Sequence, residues 1–148
     1  MQHARTHTFS ISSSMQFTSG TTGLPKGATL THKNILNNGY FNGKEMRLSS
    51  DDILCVPVPL YHCFGLVLGN FAAWTHGAQI VYPSAGFDAA KVLHAIHHER
   101  CTGLHGVPTM FIAMLNHPNF ARTDFSRLRT GIMGTCVCER SRSTSFSP

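Results

Sequence analysis

The order of residues predicts an α/β fold: a layered, mostly parallel sheet covered by helices. Three observations carry this reading. Short apolar runs with strand character alternate with segments of helical period. Residues that start and stop helices stand at the joints between them. Hydrophobic residues make up 42% of the 148-residue chain, an ordinary share for one packed domain.

Residues 1–14, MQHARTHTFSISSS, are polar, serine-rich and free of acids, and are expected to be disordered. Residues 15–18 and 28–30 read as short strands on either side of a Gly/Thr-rich loop. Thr31 is placed to cap a helix reaching about Arg47, with Ile35, Leu36, Tyr40 and Met46 near one face. Gly39 and Gly43 are expected to weaken that helix. A strand over 53–57 ends at a double-proline turn. An apolar helix over 64–76 stops at Gly77, a suitable C-terminal glycine. A strand over 79–82 follows, and then Asp88 caps a helix running to Arg100, striped by Ala89, Val92, Leu93 and Ile96. Residues 102–106 form the next strand, Pro108 opens a helix ending near Asn116, and 128–133 closes the series as a strand. The organisation predicted is thus a disordered start over 1–14, one partial domain over 15–133, and a disordered divergent tail over 134–148. The tail, GTCVCERSRSTSFSP, has no periodicity.

The net charge is +5, with 12 Lys and Arg against 7 Asp and Glu. The basic residues are scattered singly without aromatic interleaving, so anionic small molecules explain the charge and no nucleic-acid partner is expected. Five cysteines form no CxxC pair and follow no secretory signal, which reads as reduced thiols in an intracellular, mitochondrial or cytoplasmic setting. The longest apolar stretch, 63–74, falls short of the roughly 20 residues needed to cross a bilayer. His94 and His98 have the i, i+4 spacing of a metal pair, but no Glu or Cys completes a site; a solvated helix face is expected and no metal site.

The chemistry concentrates in Thr18-Ser19-Gly20-Thr21-Thr22-Gly23-Leu24-Pro25-Lys26-Gly27. Its glycines let the backbone approach a polyphosphate and turn N–H groups inward, its hydroxyls add donors, and Lys26 adds positive charge at the rim. A P-loop is excluded: Pro25 replaces the second glycine, Gly27 replaces the magnesium-binding hydroxyl, and a strand follows where a helix should open. A Rossmann fingerprint is absent as well. A plain glycine-rich hairpin turn is the structural alternative.

The run TSGTTGLPKG is similar to the signature of the adenylate-forming superfamily, which includes acyl-CoA synthetases, luciferase and peptide-synthetase adenylation domains. ATLTHKNIL after it, Pro59-Leu60-Tyr61-His62-Cys63-Phe64-Gly65, Gly106-Val107-Pro108-Thr109-Met110-Phe111 and Arg129-Thr130-Gly131-Ile132-Met133 resemble further markers of that family. The resemblance runs from about Gln16 to Met133 and is nearest to the medium-chain fatty acyl-CoA synthetases. It implies a partial N-terminal domain of an AMP-dependent ligase that activates a carboxylic acid with ATP and passes the acyl group to coenzyme A, with Mg2+ accompanying ATP. Under it, Thr18, Ser19, Gly20, Thr21, Thr22, Gly23, Leu24, Pro25 and Lys26 hold the β- and γ-phosphates. His62 orients the carboxylate, Phe64 walls the acyl pocket from the nucleotide, and Val107 and Pro108 lie beside that pocket. The family's Tyr-Gly-Thr-Glu marker, ribose-binding aspartate and late catalytic lysine have no counterpart, Lys91 being the last lysine. No catalytic set is complete, so this chain alone is expected to be inactive; the alternative is a non-catalytic nucleotide-binding or interaction module derived from such an enzyme.

Overall fold

The computed structural model describes residues 11–18 and 23–134. Strands β1 (Ser12–Thr18) and β2 (Lys26–Thr31) pair antiparallel, with Thr18 opposite Lys26. β1 starts three residues before the expected Met15, so the boundary drawn at 14 falls within a strand. Helix α1 (His32–Glu45) begins where its capping residue dictates. The Thr31 hydroxyl accepts from Asn34 N–H at 3.2 Å, and the Asn34 side chain accepts from Thr31 N–H at 3.0 Å. These reciprocal bonds satisfy two of the helix's orphan donors.

A four-stranded parallel sheet forms the body, in the order β4 (Gln79–Val81), β3 (Ile53–Cys55), β5 (Gly103–Gly106), β6 (Thr130–Met133). β3 is shorter than the expected 53–57. Val56 N–H still donates to Val81 at 2.9 Å, but Pro57 and Pro59 have no N–H with which to extend the ladder. β6 starts two residues later than expected. Arg129 and Thr130 both donate to the Thr102 carbonyl, at 2.9 and 3.2 Å, and regular pairing begins at Thr130 opposite Gly103.

Alternate residues face opposite layers, as a pleated strand requires. Leu54, Ile80 and Ile132 join Val56, Phe64, Ala72 and Ala73 on one side. Ile53, Cys55, Val81 and Leu104 join Val92, Leu93, Ile96 and Met114 on the other. The first layer is roofed by a π-helix (Phe64–Phe71) continuing into α2 (Ala72–His76), the second by α3 (Ala89–His98) and α4 (Pro108–Leu115). Asp88 caps α3, accepting from Lys91 N–H at 3.2 Å, and Gly77 ends α2 in the left-handed conformation at φ 71°.

The expected apolar face of α1 requires correction. Ile35 and Met46 are buried as expected, but Leu36 and Tyr40 are exposed, and the buried helix positions besides Ile35 are Gly39 and Gly43. The two glycines are contact surface, not merely weak points. A Cβ on Gly39 would stand 2.6 Å from Phe71 Cβ, and one on Gly43 would stand 2.8 Å from the Ala72 carbonyl. The propensity lost at each, about 1 kcal/mol, is offset by the approach of α1 to the helix above it.

Candidate functional site

In an open parallel sheet, ligands bind beyond the carboxyl ends of strands where the chain's direction of travel reverses. From β3 the chain crosses to β4 on one side, then returns past β3 to β5 and β6 on the other. The switch therefore lies between β3 and β5. The turn after β3 leads to His62 and Phe64, and the turn after β5 contains Val107 and Pro108. Beside it lies a cleft of about 460 Å³, lined by residues 56–60 after β3, 82 and 84–87 after β4, and Met110 of α4. Its walls are mainly apolar.

His62 is exposed, and its Nδ1 accepts from Phe64 N–H at 3.1 Å. Phe64 opens the π-helix and is 4% exposed. Val107 is the half-buried, extended residue before α4, and Pro108 is the first residue of that helix, where its missing N–H costs nothing. Phe64 and Val107 pack into the same core layer. The structure therefore brings both segments of the expected substrate wall, 62–64 and 107–108, to one end of the sheet.

The described ends of the glycine-rich run, Thr18 and residues 23–26, join the two strands of the β1–β2 hairpin. Thr18 ends β1, with its hydroxyl 3.5 Å from the Lys26 carbonyl, and Lys26 begins β2. Gly23 has φ 92°, a left-handed conformation that suits glycine. Leu24 is 78% exposed, and Pro25 and Lys26 face solvent. Ser19, Gly20, Thr21 and Thr22 lie outside the described residues. No hydrogen bond among the described residues joins this loop to His62. The hairpin's base approaches that segment through a smaller cleft of about 270 Å³, bounded by Leu30, Asn34, Cys63 and Leu68 among others.

Two polar centres escape sequence reasoning. His105, on β5, is fully buried. Its Nε2 donates to the Leu68 carbonyl at 2.9 Å and its Nδ1 accepts from Ile132 N–H at 3.2 Å. Burial pushes its pKa down, against a smaller upward pull from the Leu68 and Leu104 backbone. The unfolded imidazole gains a proton near 6.5 while the buried one resists, so stability is full above that pH and declines as pH falls below it. We expect the urea midpoint to be higher at about pH 7.5 than at about pH 5.5, with a smaller difference in His105→Phe. An equal difference in that variant would assign the effect elsewhere.

The second centre is Asp52, 3% exposed. It accepts from the Thr102 hydroxyl at 2.6 Å, from Ser49 N–H at 2.8 Å and from the Arg129 guanidinium, which also donates to the Met46 and Arg47 carbonyls. Burial pushes its carboxyl up, but the bonds from Thr102, Arg129 and Ser49 together outweigh it and hold the pKa below the usual value. The only sequence signal for either centre is a polar residue within or beside an apolar strand.

His94 and His98 stack on the exposed face of α3, ring centroids 5.4 Å apart. Among the described residues no group of three or more His, Cys, Asp or Glu could hold a metal, and no helix is long and apolar enough to cross a membrane.

A family model described as AMP-binding enzyme matches residues 12–147, extending past Met133, where the motif resemblance ends. Acyl-CoA ligase sidI of Aspergillus fumigatus is 60% identical over 119 residues, which are 80% of this chain and 20% of that protein. Medium-chain acyl-CoA ligase ACSF2, mitochondrial, of Danio rerio is 48% identical over 126 residues, 84% of this chain and 21% of its own. The inhibitor-bound crystal structure of the N-terminal domain of FACL13 from Mycobacterium tuberculosis is similar with a TM-score of 0.75 and 29% identity, covering 86% of this chain and 31% of that one. The chain thus spans about a fifth of the length of the two curated relatives.

Proposed function

This chain belongs to the AMP-binding enzyme family, and from that premise we propose that its hairpin loop grips the β- and γ-phosphates of ATP as part of an acid–thiol ligase. The observation that carries the proposal is the loop itself: glycine, hydroxyl and lysine residues gathered at 18–26 between two antiparallel strands, with Lys26 exposed at the rim. Backbone N–H groups and hydroxyls there suit phosphate oxygens, and Lys26 neutralises charge that accumulates on departing pyrophosphate. Magnesium would accompany ATP on phosphate oxygens, the ligands such a hard cation prefers.

In the reaction proposed, a carboxylate oxygen bonds to the α-phosphorus of ATP while the bond to the β-phosphate oxygen breaks. A thiol, that of coenzyme A, then attacks the acyl carbon and AMP leaves. His62 is proposed to orient the carboxylate: its Nδ1 is occupied by Phe64 N–H, which leaves Nε2 of this exposed residue as the nitrogen for a substrate. Phe64, Val107 and Pro108 are proposed to border the acyl chain; the neighbouring apolar cleft is enclosed instead by residues 56–60, 82, 84–87 and Met110. The relatives named as medium-chain acyl-CoA ligases favour a fatty acid of that class.

The experiment is ATP binding to the 148-residue chain, followed by titration calorimetry of Lys26→Ala. Loss of a charge-assisted bond should weaken binding by about tenfold or more. ATP–pyrophosphate exchange with decanoate should stay at background, because the late lysine and the ribose-binding aspartate have no counterpart here. Equal affinity of wild type and Lys26→Ala would remove the phosphate-grip reading. Turnover would remove the expectation of inactivity.

A further inference from the structure

The π winding of Phe64–Phe71 has a visible partner. At its end Ala72 N–H donates to the carbonyls of Val67 and Gly69 and passes over Leu68. The Leu68 carbonyl, which an α-helix would give to Ala72, instead accepts from His105 Nε2 at 2.9 Å. Because His105 Nδ1 accepts from Ile132 N–H at 3.2 Å, the proton resides on Nε2. The His105 ring also lies against Phe64, with centroids 5.4 Å apart and planes tilted by 31°. Phe64 N–H in turn donates to His62 Nδ1 at 3.1 Å. One continuous path therefore runs from β6 through His105 and Phe64 to the exposed His62 imidazole. Single-turn π insertions recur at functional sites, since they displace side chains from α-helical positions. Rewinding this segment by one residue would swing the preceding turn by about 100°.

We infer that His105 is a positioning residue: as the Nε2–H tautomer it claims the Leu68 carbonyl, holds the π winding, and so sets where Phe64 and His62 stand at the switch-point crevice. The bearing of this on an acyl substrate rests on the function proposed above; the coupling of His105 to His62 does not. Thr, Val or Leu at position 105 would leave the Leu68 carbonyl without this donor and the Ile132 amide without this acceptor.

The test reads imidazole tautomers by nitrogen NMR and amide exchange along the 148-residue chain, in wild type, His105→Leu and His105→Gln. In the wild type both His105 and His62 should carry the proton on Nε2. His105→Leu should mix the His62 tautomers and speed exchange at the Phe64 and Ala72 amides about tenfold or more, while β3 and α3 amides keep their protection. His105→Gln retains a donor near the Nε2 position and should restore most of the difference. The inference is overturned by an Nδ1–H tautomer of His105 in the wild type, which needs no variant to fold. It is equally overturned if His105→Leu leaves the His62 tautomer and those amides unchanged, or if Leu and Gln speed exchange alike throughout the chain. Decanoate with AMP, followed by saturation transfer, separates the two proposals. No binding by a wild type whose His62 responds to His105 would count against the ligase reading alone.

Discussion

Gly131→Val is expected to detach β6 and lower the unfolding free energy by about 3 kcal/mol or more, through backbone strain and overpacking together. Gly131 has φ 154°, outside the range side-chain-bearing residues prefer, and a Cβ there would stand 1.9 Å from the Leu104 carbonyl oxygen. That neighbour is backbone of the adjacent strand and has no rotamer through which to yield. Because β6 is an edge strand among the described residues, the first response should be loss of the Gly103–Thr130 to Gly106–Met133 register, and with it the Ile132 bond to His105. Urea unfolding followed by circular dichroism measures the loss, and amide exchange shows whether β6 leaves first. Gly134→Ala is the matched control: its Cβ would meet the Phe64 ring edge at 3.3 Å, a contact a side chain can relieve. An unchanged midpoint in Gly131→Val would show that the edge adjusts without strain.

Asp52→Ala is expected to cost about 3 kcal/mol, because it leaves several donors without their acceptor at a buried position. Thr102 lies at the entrance to β5, Ser49 before β3, and Arg129 before β6, so one carboxylate ties three segments together. Removing the other partner should cost less. The Arg129 side chain is 43% exposed and leaves its charge partly solvated, so Arg129→Met is expected to lose about 1 kcal/mol. The net downward pKa shift of Asp52 means this support is present above about 3.8 and is lost as pH falls through the lower, folded-state value. Acid titration of the unfolding midpoint should therefore be shallower below pH 4 in Asp52→Ala than in wild type. Equal stability of the two proteins would deny the tie.

Legibility from sequence followed the range of each interaction. Thr31, Asp88, Pro108 and Gly77 act within one turn of themselves, and the helix ends they predict lie where the structure has them. Strand positions were readable from β-rich apolar runs, although their ends moved where proline or a shared carbonyl intervened. The glycine-rich loop was readable as a motif because its residues are contiguous. Asp52, Thr102 and Arg129 are separated by 50 and 77 positions along the chain and converge only in three dimensions. Gly39 and Gly43 were misread for the same reason: their cost is local, whereas their benefit comes from Phe71 and His76 on a different helix. His105 gave no periodic signal, since a single histidine inside a four-residue strand leaves the pattern around it intact.

The β1–β2 hairpin is a two-stranded sheet of its own, separate from the four-stranded body. A lone hairpin has marginal stability in water. The part that would seize a nucleotide is thus a cantilever rooted at Thr31 and α1, with Met15, Phe17 and Leu24 exposed along it. Its base at Leu30 borders Cys63 and Leu68 across a cleft, and under the proposed function a nucleotide would brace the arm as it binds. Under the proposed function, part of the nucleotide's binding free energy would be spent on that bracing, and intrinsic contact strength would exceed the affinity a titration reports.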